Sequence, residues 1–279
     1  MLAVALGLAA SVSWGIADFL GGLKSRTLEL LTVLLFSQGV GFALILTVVA
    51  ARGQAAPDGT HVLYACLSGV SGIVGLAAFY RGLAVGAMTV VAPISGTAAV
   101  LPVAVGLISG ERPAAFQAAG IALALAGVVF ASREAPAEGG SRRMAAGAGL
   151  ALLSSLGFGG FFVAMDAASE PDLLWASFFN RATSLGILLA AALALRPRVA
   201  VGVVDARALV AIGAMDISAN ALFGAASTEG LVSLVAVLAS LYPVVTILLA
   251  RVVLRERVRP VQRAGVAAVL VGVALISAG

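Results

Sequence analysis

Two residues of opposite charge, Arg181 and Asp216, lie deep inside apolar stretches of this 279-residue chain. A lone charge at the centre of a membrane helix costs roughly 2.5 to 3.5 kcal/mol on insertion scales, so such residues pair with each other or face a polar path. Counting outward from the polar break between the two stretches brings both side chains to similar depths. The spacing therefore predicts an ion pair, with Asn180 or Asn220 taking spare hydrogen bonds.

Two roles fit this predicted pair. It can hold two helices together as a fixed ion pair, or Asp216 can exchange its partner for a proton or for the ammonium group of a substrate. Asp18, by contrast, is expected near the cytoplasmic end of its helix, where a polar side chain can reach water. We therefore expect a structural role for Asp18.

The sequence lacks the residue patterns that common metal-dependent and serine-dependent enzymes use. The single histidine, His61, stands at the end of an apolar stretch, and no His-Glu-x-x-His pattern occurs. A phosphate-binding Gly-x-x-x-x-Gly-Lys-Ser/Thr loop is also missing, so ATP is not expected as the direct energy source. We expect no enzyme activity, no cofactor and no metal.

The elements that must position these residues are membrane helices. The chain is 61% hydrophobic and only 11% charged, with a mean hydropathy of +1.11, whereas soluble domains carry about 25% charged residues. The apolar runs have the length of roughly 20 residues that a helix needs to cross the hydrocarbon core. We predict an all-α integral membrane protein with ten spans: 2–23, 28–51, 61–80, 84–109, 113–132, 144–165, 172–195, 205–224, 231–254 and 260–278.

The basic residues predict the orientation of these spans. The net charge of +4 does not indicate nucleic-acid binding, because the basic residues stand singly or in pairs at the ends of apolar runs. Fourteen of the 17 lie in or beside the breaks after spans 1, 3, 5, 7 and 9, whereas only Arg52 and Arg112 lie on the other side. By the positive-inside rule both termini are expected outside the cytoplasm.

The two halves of the chain resemble each other. Gly7-Leu8-Ala9 recurs 142 positions on as Gly149-Leu150-Ala151, and Gly69 recurs at a shift of 144 as Gly213. We predict a first five-helix repeat over 1–132, a linker over 133–143 and a second five-helix repeat over 144–279. Since five is odd, the second copy must be inverted relative to the first. Gln38 is then the counterpart of Arg181 at a shift of 143.

Prolines inside two spans predict interrupted helices near the bilayer midplane. Pro93 and Pro102 lie in span 4 and Pro243 lies in span 9. A proline within a span leaves a carbonyl without its partner, which is tolerated beside a water-lined cavity. Counting back from Glu111 as Pro243 precedes Glu256 reaches Ala98, so span 4 is expected to bend at a different level from span 9.

A central cavity is therefore expected between the two halves. Hydroxyl groups beside the prolines and aromatic rings at matching places in spans 1 and 6 are the candidate substrate-binding residues, and packing or lipid contact is the alternative for each of them. Tyr80, which adjoins Arg81 at the end of a span, is expected at the membrane interface. The five candidates are Trp14, Ser95, Phe158, Ser240 and Tyr242.

Several of these motifs together resemble a known family. The motifs are Ser13-Trp14-Gly15, Tyr242-Pro243 and the helix-end pairs Glu111-Arg112 and Glu256-Arg257. They resemble the EamA-type branch of the drug/metabolite transporter superfamily over essentially the whole chain, and bacterial exporters of amino acids, including aromatic ones, look closest in length and pattern. The resemblance implies a basket of helices around a cavity, with the fifth and tenth helices peripheral.

We accordingly expect a secondary transporter of small amphipathic metabolites in the plasma (bacterial inner) membrane, with amino acids as substrates and export by alternating access. Sugars or nucleotide-sugars as substrates, and a passive channel, are the alternatives that the sequence leaves open. A scaffold protein that transports nothing is the alternative from another class of function. A monomer is compatible with these expectations, while the coupling ion and the oligomeric state stay open.

Overall fold

The computed structural model describes residues 1–25, 27–85, 95–131, 141–197, 201–254 and 260–277. Within these ranges the chain forms ten helical elements and no strand. Their bounds are α1 Leu2–Lys24, α2 Leu30–Arg52, α3 Gly59–Val85, α4 Val100–Ile108, α5 Ala115–Ala131, α6 Ser141–Leu195, α7 Val203–Glu229, α8 Val232–Ala239, α9 Tyr242–Leu254 and α10 Pro260–Ser277.

The predicted spans coincide with these helices wherever the structure describes them. Element α6 is two helices in one, because Asp172 has an extended backbone (φ −160°, ψ 102°) that separates limbs Gly149–Glu170 and Asp172–Leu195. Spans 6 and 7 correspond to these limbs, and span 9 corresponds to α8 and α9. The first part of span 4 and residues 133–140 of the expected linker lie outside the described ranges.

The helices have the length and surface of a membrane protein. Six helical segments of the described chain are long and apolar enough to cross a bilayer, and shorter apolar helices accompany them. Large apolar side chains stand exposed on the outside of the bundle, such as Leu156 at 62%, Leu193 at 79% and Leu270 at 64%. Lipid can cover such a surface, whereas water would penalise it. The chain is therefore a multi-pass membrane protein.

One close contact between helices occurs twice in the bundle. A Cβ atom at Gly69 of α3 would strike Asn180 and Thr183 of α6, and a Cβ atom at Gly213 of α7 would strike Ser37 and Val40 of α2. Glycine at both places lets two helix backbones touch, which is how helices associate in lipid. The two contacts are related by the sequence shifts of 143 and 144.

Helices α5 and α10 pack against each other through a reciprocal pair of glycine contacts. A Cβ at Gly120 would lie 2.8 Å from the carbonyl oxygen of Gly272, and one at Gly127 would lie 2.8 Å from that of Gly265. A shift of 145 converts Gly120 into Gly265 and Gly127 into Gly272. The same shift therefore exchanges the two contacts, as a two-fold axis between these helices would.

The interruptions of spans 4 and 9 differ from the expectation. In span 9 the helix stops after Ala239 and restarts at Tyr242, just before Pro243. In span 4 the described chain makes a turn over 96–99, directly after Ser95, with the amide of Val100 bonded to the Thr97 carbonyl at 2.9 Å, before α4 begins. Both interruptions fall at equivalent places, although span 4 has no proline there; Pro93 lies outside the described residues. Pro102 is in the first turn of α4, where a helix tolerates proline.

A carboxylate joins the corner after α4 to the interrupted span. Glu111 accepts hydrogen bonds from the backbone N–H groups of Val232 (2.7 Å) and Ser233 (3.2 Å). These are orphan donors of the first turn of α8, where a negative charge also faces the positive end of the helix dipole. Glu111 therefore fixes the start of α8 against a distant part of the chain.

Candidate functional site

A cavity opens between α1, α2, α3, both limbs of α6, α7 and α9. Its empty volume is about 560 Å³, its open mouth included. Three of the five residues expected from the sequence, Trp14, Phe158 and Tyr242, line it. The Phe158 and Tyr242 rings meet edge to face with centroids 6.1 Å apart, which gives one wall an aromatic surface.

The other two expected residues lie elsewhere. Ser95 and Ser240 are both fully buried, and neither belongs to the cavity lining. They occupy the equivalent interruptions of spans 4 and 9, where helix packing encloses them, and their hydroxyl groups have no hydrogen-bond partner in the described structure. The expectation that they face the cavity is therefore corrected: they mark the interruptions and lie away from the cavity surface.

Asp216 is the centre of a charged network on the cavity wall. Arg181 Nη1 lies 2.7 Å from its carboxylate, so the ion pair that the spacing predicts is present. Trp14 Nε1 and Gln38 Nε2 each donate a hydrogen bond to the same carboxylate at 3.1 Å. Gln38 Oε1 also accepts from Arg181 Nη1. Side chains from four helical elements thus meet at one partly buried carboxylate and stabilise its charge, as a charge within a membrane protein requires.

The two asparagines do not join this network. Asn220 donates to the Asn180 side-chain oxygen at 3.3 Å, and Asn180 donates to the Ser68 hydroxyl at 2.8 Å. The expectation that they take spare hydrogen bonds of the Arg181–Asp216 pair is therefore wrong. Asn220 lies one turn after Asp216 and Asn180 directly precedes Arg181, and the two form a separate polar chain that also reaches the cavity.

Arg181 keeps part of its hydrogen-bonding capacity unused. Its residue is 2% exposed, and Nε and Nη2 have no partner within the described structure. The Nε edge lies against α2 at Gly41, where a Cβ atom would come within 3.2 Å. Arg181 lines the cavity, but these two nitrogens are enclosed, so they become donors to a carboxylate or another acceptor of a solute after a side-chain rotation.

Asp18 and Tyr80 meet at this site, although the sequence predicts a structural role for Asp18 and an interfacial position for Tyr80. Asp18 lines the cavity, and the Tyr80 hydroxyl donates a long hydrogen bond of 3.4 Å to it. Tyr80 is 6% exposed and so is not an interfacial ring. Helix α3 continues to Val85, past Arg81, so Tyr80 lies within the helix, and its ring packs against α1, where a Cβ atom at Gly21 would strike it. The signal available in the sequence was the carboxylate itself, one turn after Trp14 on the same helix face.

An aromatic cluster forms part of the cavity wall, since three of its four rings line the cavity. The rings of Trp14, Phe161, Phe162 and Phe223 lie within 4.8 to 6.1 Å of one another, centroid to centroid. Phe162 and Phe223 are almost fully buried. This cluster brings α1, α6 and α7 together and gives the cavity an apolar boundary. No three His, Cys, Asp or Glu side chains gather as a metal site in the part of the chain that is described.

Comparison with known proteins identifies the fold and the family. The model of the EamA-like transporter family matches residues 1–133 and again residues 145–278. A solved structure titled only "Crystal structure of protein" superposes with a TM-score of 0.79, at 19% sequence identity, over 98% of this chain and 95% of that one. At this identity the likeness concerns the fold alone. No curated protein matches the sequence.

Proposed function

Because the chain belongs to the EamA-like transporter family, we propose that it is a secondary transporter of small amphipathic metabolites and that the central cavity is its substrate site. The observation that carries this proposal is the charged network of Arg181 and Asp216 on a cavity wall. A membrane protein that needed only a structural ion pair could seal it between helices. Here it borders an open space with aromatic walls, which suits an amphipathic solute.

The proposed architecture is ten membrane-spanning helices arranged as an inverted repeat, with halves 1–132 and 144–279 joined by a linker at 133–143. Support comes from the paired contacts of Gly69 and Gly213 and from the exchanged contacts between α5 and α10. The two stretches that the family model matches have nearly the same bounds. An inverted repeat places a substrate site between its halves, and alternating access then follows from rocking one half against the other.

We propose that the protein lies in the plasma membrane with both termini outside the cytoplasm, as the distribution of basic residues favours. Fusing a reporter after Gly279 tests the orientation. A periplasm-specific reporter should be active there and a cytoplasm-specific one inactive. The reverse result would invert the orientation while leaving the number of spans untouched.

Amino acids are the proposed substrates and export is the proposed direction. An amino acid carries a carboxylate for the free N–H groups of Arg181, an ammonium for a cavity carboxylate, and in aromatic cases a ring for the Phe158 and Tyr242 wall. Counterflow in proteoliposomes with labelled phenylalanine, leucine, glucose and a nucleotide-sugar tests this. Saturable exchange of the amino acids alone is expected. Exchange of a sugar alone would show that the substrates are sugars and not amino acids. Flux without counterflow would indicate a channel, and the absence of any flux would indicate a scaffold.

Cysteine accessibility tests the cavity with controls from the same chain. In a Cys66→Ala background, Phe158→Cys and Tyr242→Cys should react with a water-soluble thiol reagent and be protected by substrate. Ser95→Cys and Ser240→Cys are matched controls, since they are buried and lie outside the lining. Equal reactivity in both groups would contradict the assigned cavity.

A further inference from the structure

The cavity contains a second carboxylate that lacks a counterion. Asp18 has one hydrogen-bond partner in the described structure, the Tyr80 hydroxyl at 3.4 Å, which is long for an O–H···O bond. The ion pairs of the described residues do not include Asp18. Its charged neighbour is Asp216, which repels it. Lys24, later on the same helix, is held by Asp205 at 2.7 Å.

A carboxylate in this position needs a positive partner from solution. An unpaired ionised carboxylate beside a like charge is unfavourable in a partly desolvated cavity, so a proton or a cation from solution would stabilise Asp18. The lining residues of the cavity include two carboxylates, Asp18 and Asp216, and one guanidinium, that of Arg181. Arg181 is bonded to Asp216, which leaves Asp18 as the unmatched negative charge.

The groups around Asp18 suit an organic ammonium better than a small metal ion. Trp14 lies one turn before it on the same helix face, and the Phe158 and Tyr242 rings form the neighbouring wall. Aromatic faces attract ammonium groups. Tyr242 lies close enough to Asp18 for the two side chains to interact electrostatically. The Tyr242 hydroxyl is buried and has no hydrogen-bond partner in the described structure. A hard metal cation prefers about six oxygen ligands, and this end of the cavity offers few.

We propose that Asp18, together with Tyr242 and the ring of Trp14, forms the subsite that binds a protonated amine of the transported molecule, and that Asp216 remains paired with Arg181. The proposal rests on the proposed function and deepens it by naming the chemical class that the cavity selects. Protons compete with the amine at Asp18. The other groups that face this carboxylate are Tyr80 on α3, Asp216 on α7 and Tyr242 on α9.

Binding by the purified full-length protein tests the subsite without requiring transport. The probe is radiolabelled 2-phenylethylamine, and the competitors are the unlabelled amine and 2-phenylethanol, which replaces the ammonium with a neutral hydroxyl. The amine should displace the probe at a concentration at least about tenfold lower than the alcohol, as one charge-assisted hydrogen bond predicts. The preference should disappear in Asp18→Asn. It should also weaken in the unmodified protein as the pH falls, because protonated Asp18 no longer attracts a cation.

The matched control is Asp58→Asn, which removes an exposed carboxylate outside the membrane helices. Hydrogen bonds from His61 lower the pKa of Asp58, so this carboxylate is charged at neutral pH, yet its loss should leave the preference unchanged. Persistence of the preference in Asp18→Asn, or its absence from the unmodified protein at every pH, would overturn the proposal. If Asp18→Asn does not fold, the pH dependence of the unmodified protein decides.

The amine subsite and the proposed transport function can fail separately. An amine preference without counterflow of any solute would reject transport and keep the subsite. Counterflow with equal affinity for amine and alcohol would reject the subsite and keep transport. Displacement of the probe by sodium chloride, with N-methylglucamine chloride inert, would assign Asp18 to a metal cation and overturn the amine proposal.

Discussion

The two carboxylates of the cavity sit in contrasting surroundings. Asp216 receives hydrogen bonds from an indole, an amide and a guanidinium, all at 3.1 Å or less. Asp18 receives one long hydrogen bond from a phenol. The fold supplies the Asp216 carboxylate with three donors, whereas the Asp18 carboxylate can still accept further hydrogen bonds. Charge alone therefore does not tell which acidic residue of a transporter serves structure and which serves a solute.

The difference also separates two kinds of energetic consequence. Removing a partner from a satisfied charged network strands the remaining charge in a medium of low dielectric constant. Removing a carboxylate that accepts a single long hydrogen bond leaves little behind that was stabilised by it. Mutations at the Asp216 end should hence reduce folding stability, while those at the Asp18 end should change ligand binding and leave stability almost intact.

The largest expected effect is the loss of the ion pair. Arg181→Gln should lower the free energy of unfolding by about 3 to 5 kcal/mol, because it leaves Asp216 charged and partly desolvated. Asp216→Asn should be damaging in the same way, since it strands a guanidinium that is almost fully buried. The double variant should be more stable than either single variant. Thermal unfolding in detergent measures all three, and additive effects in this cycle would contradict a coupled pair.

Next in size is the loss of a neutral donor to Asp216. Trp14→Phe keeps the aromatic ring and removes the indole N–H, and Gln38→Leu keeps the volume and removes the amide. Each should cost about 1.5 to 3 kcal/mol, the usual contribution of a hydrogen bond to a charged group. Val12→Ala, on an exposed surface of the same helix as Trp14, is a control expected to change little. A Trp14→Phe protein as stable as the unmodified one would mean that its bond to Asp216 is dispensable.

How far the sequence predicts the fold follows from what a membrane requires. Spans are set by length and hydropathy, which are local properties, so all-helical architecture and helix positions could be read directly. The Arg181–Asp216 pair was also predictable, because two opposite charges at one depth have few alternatives. The position of Tyr80 was not predictable, because the rotation of α3 about its axis, which neighbouring helices set, decides whether its ring faces lipid or the interior.

The positions of Ser95 and Ser240 show a second limit. Their types and their nearness to prolines predicted hydroxyl groups on a cavity wall, yet both lie inside the packing at helix interruptions. Which side of an interrupted helix faces the cavity depends on rotation about the helix axis, which neighbouring helices set. The sequence identifies Glu111 only as part of the helix-end pair Glu111-Arg112. Its contact with the start of α8 joins residues more than a hundred positions apart, and no local pattern announces it.

A smaller effect is expected at the unsatisfied carboxylate. Asp18→Asn should change the free energy of unfolding by less than about 0.5 kcal/mol or raise it slightly, because the substitution removes repulsion from Asp216 and the amide oxygen can still accept from Tyr80. The same variant should lose amine binding. Thermal unfolding beside Asp216→Asn gives the direct comparison. A loss as large as that of Asp216→Asn would show that Asp18 has partners that stabilise the fold, and the contrast between the two ends would collapse.

The smallest effect is expected for Tyr80→Phe. The hydroxyl of Tyr80 donates to Asp18 over 3.4 Å, beyond the usual range for this bond, so its loss should cost no more than about 0.5 kcal/mol of stability. The ring, which is buried against Phe79 and neighbouring apolar side chains, is retained in the variant. The amine preference should persist or increase, because the carboxylate of Asp18 then has one donor fewer and attracts a cation more strongly. A Tyr80→Phe protein that loses stability like Trp14→Phe, or that loses the amine preference, would show that this long bond positions Asp18 and that the Asp18 end is as organised as the Asp216 end.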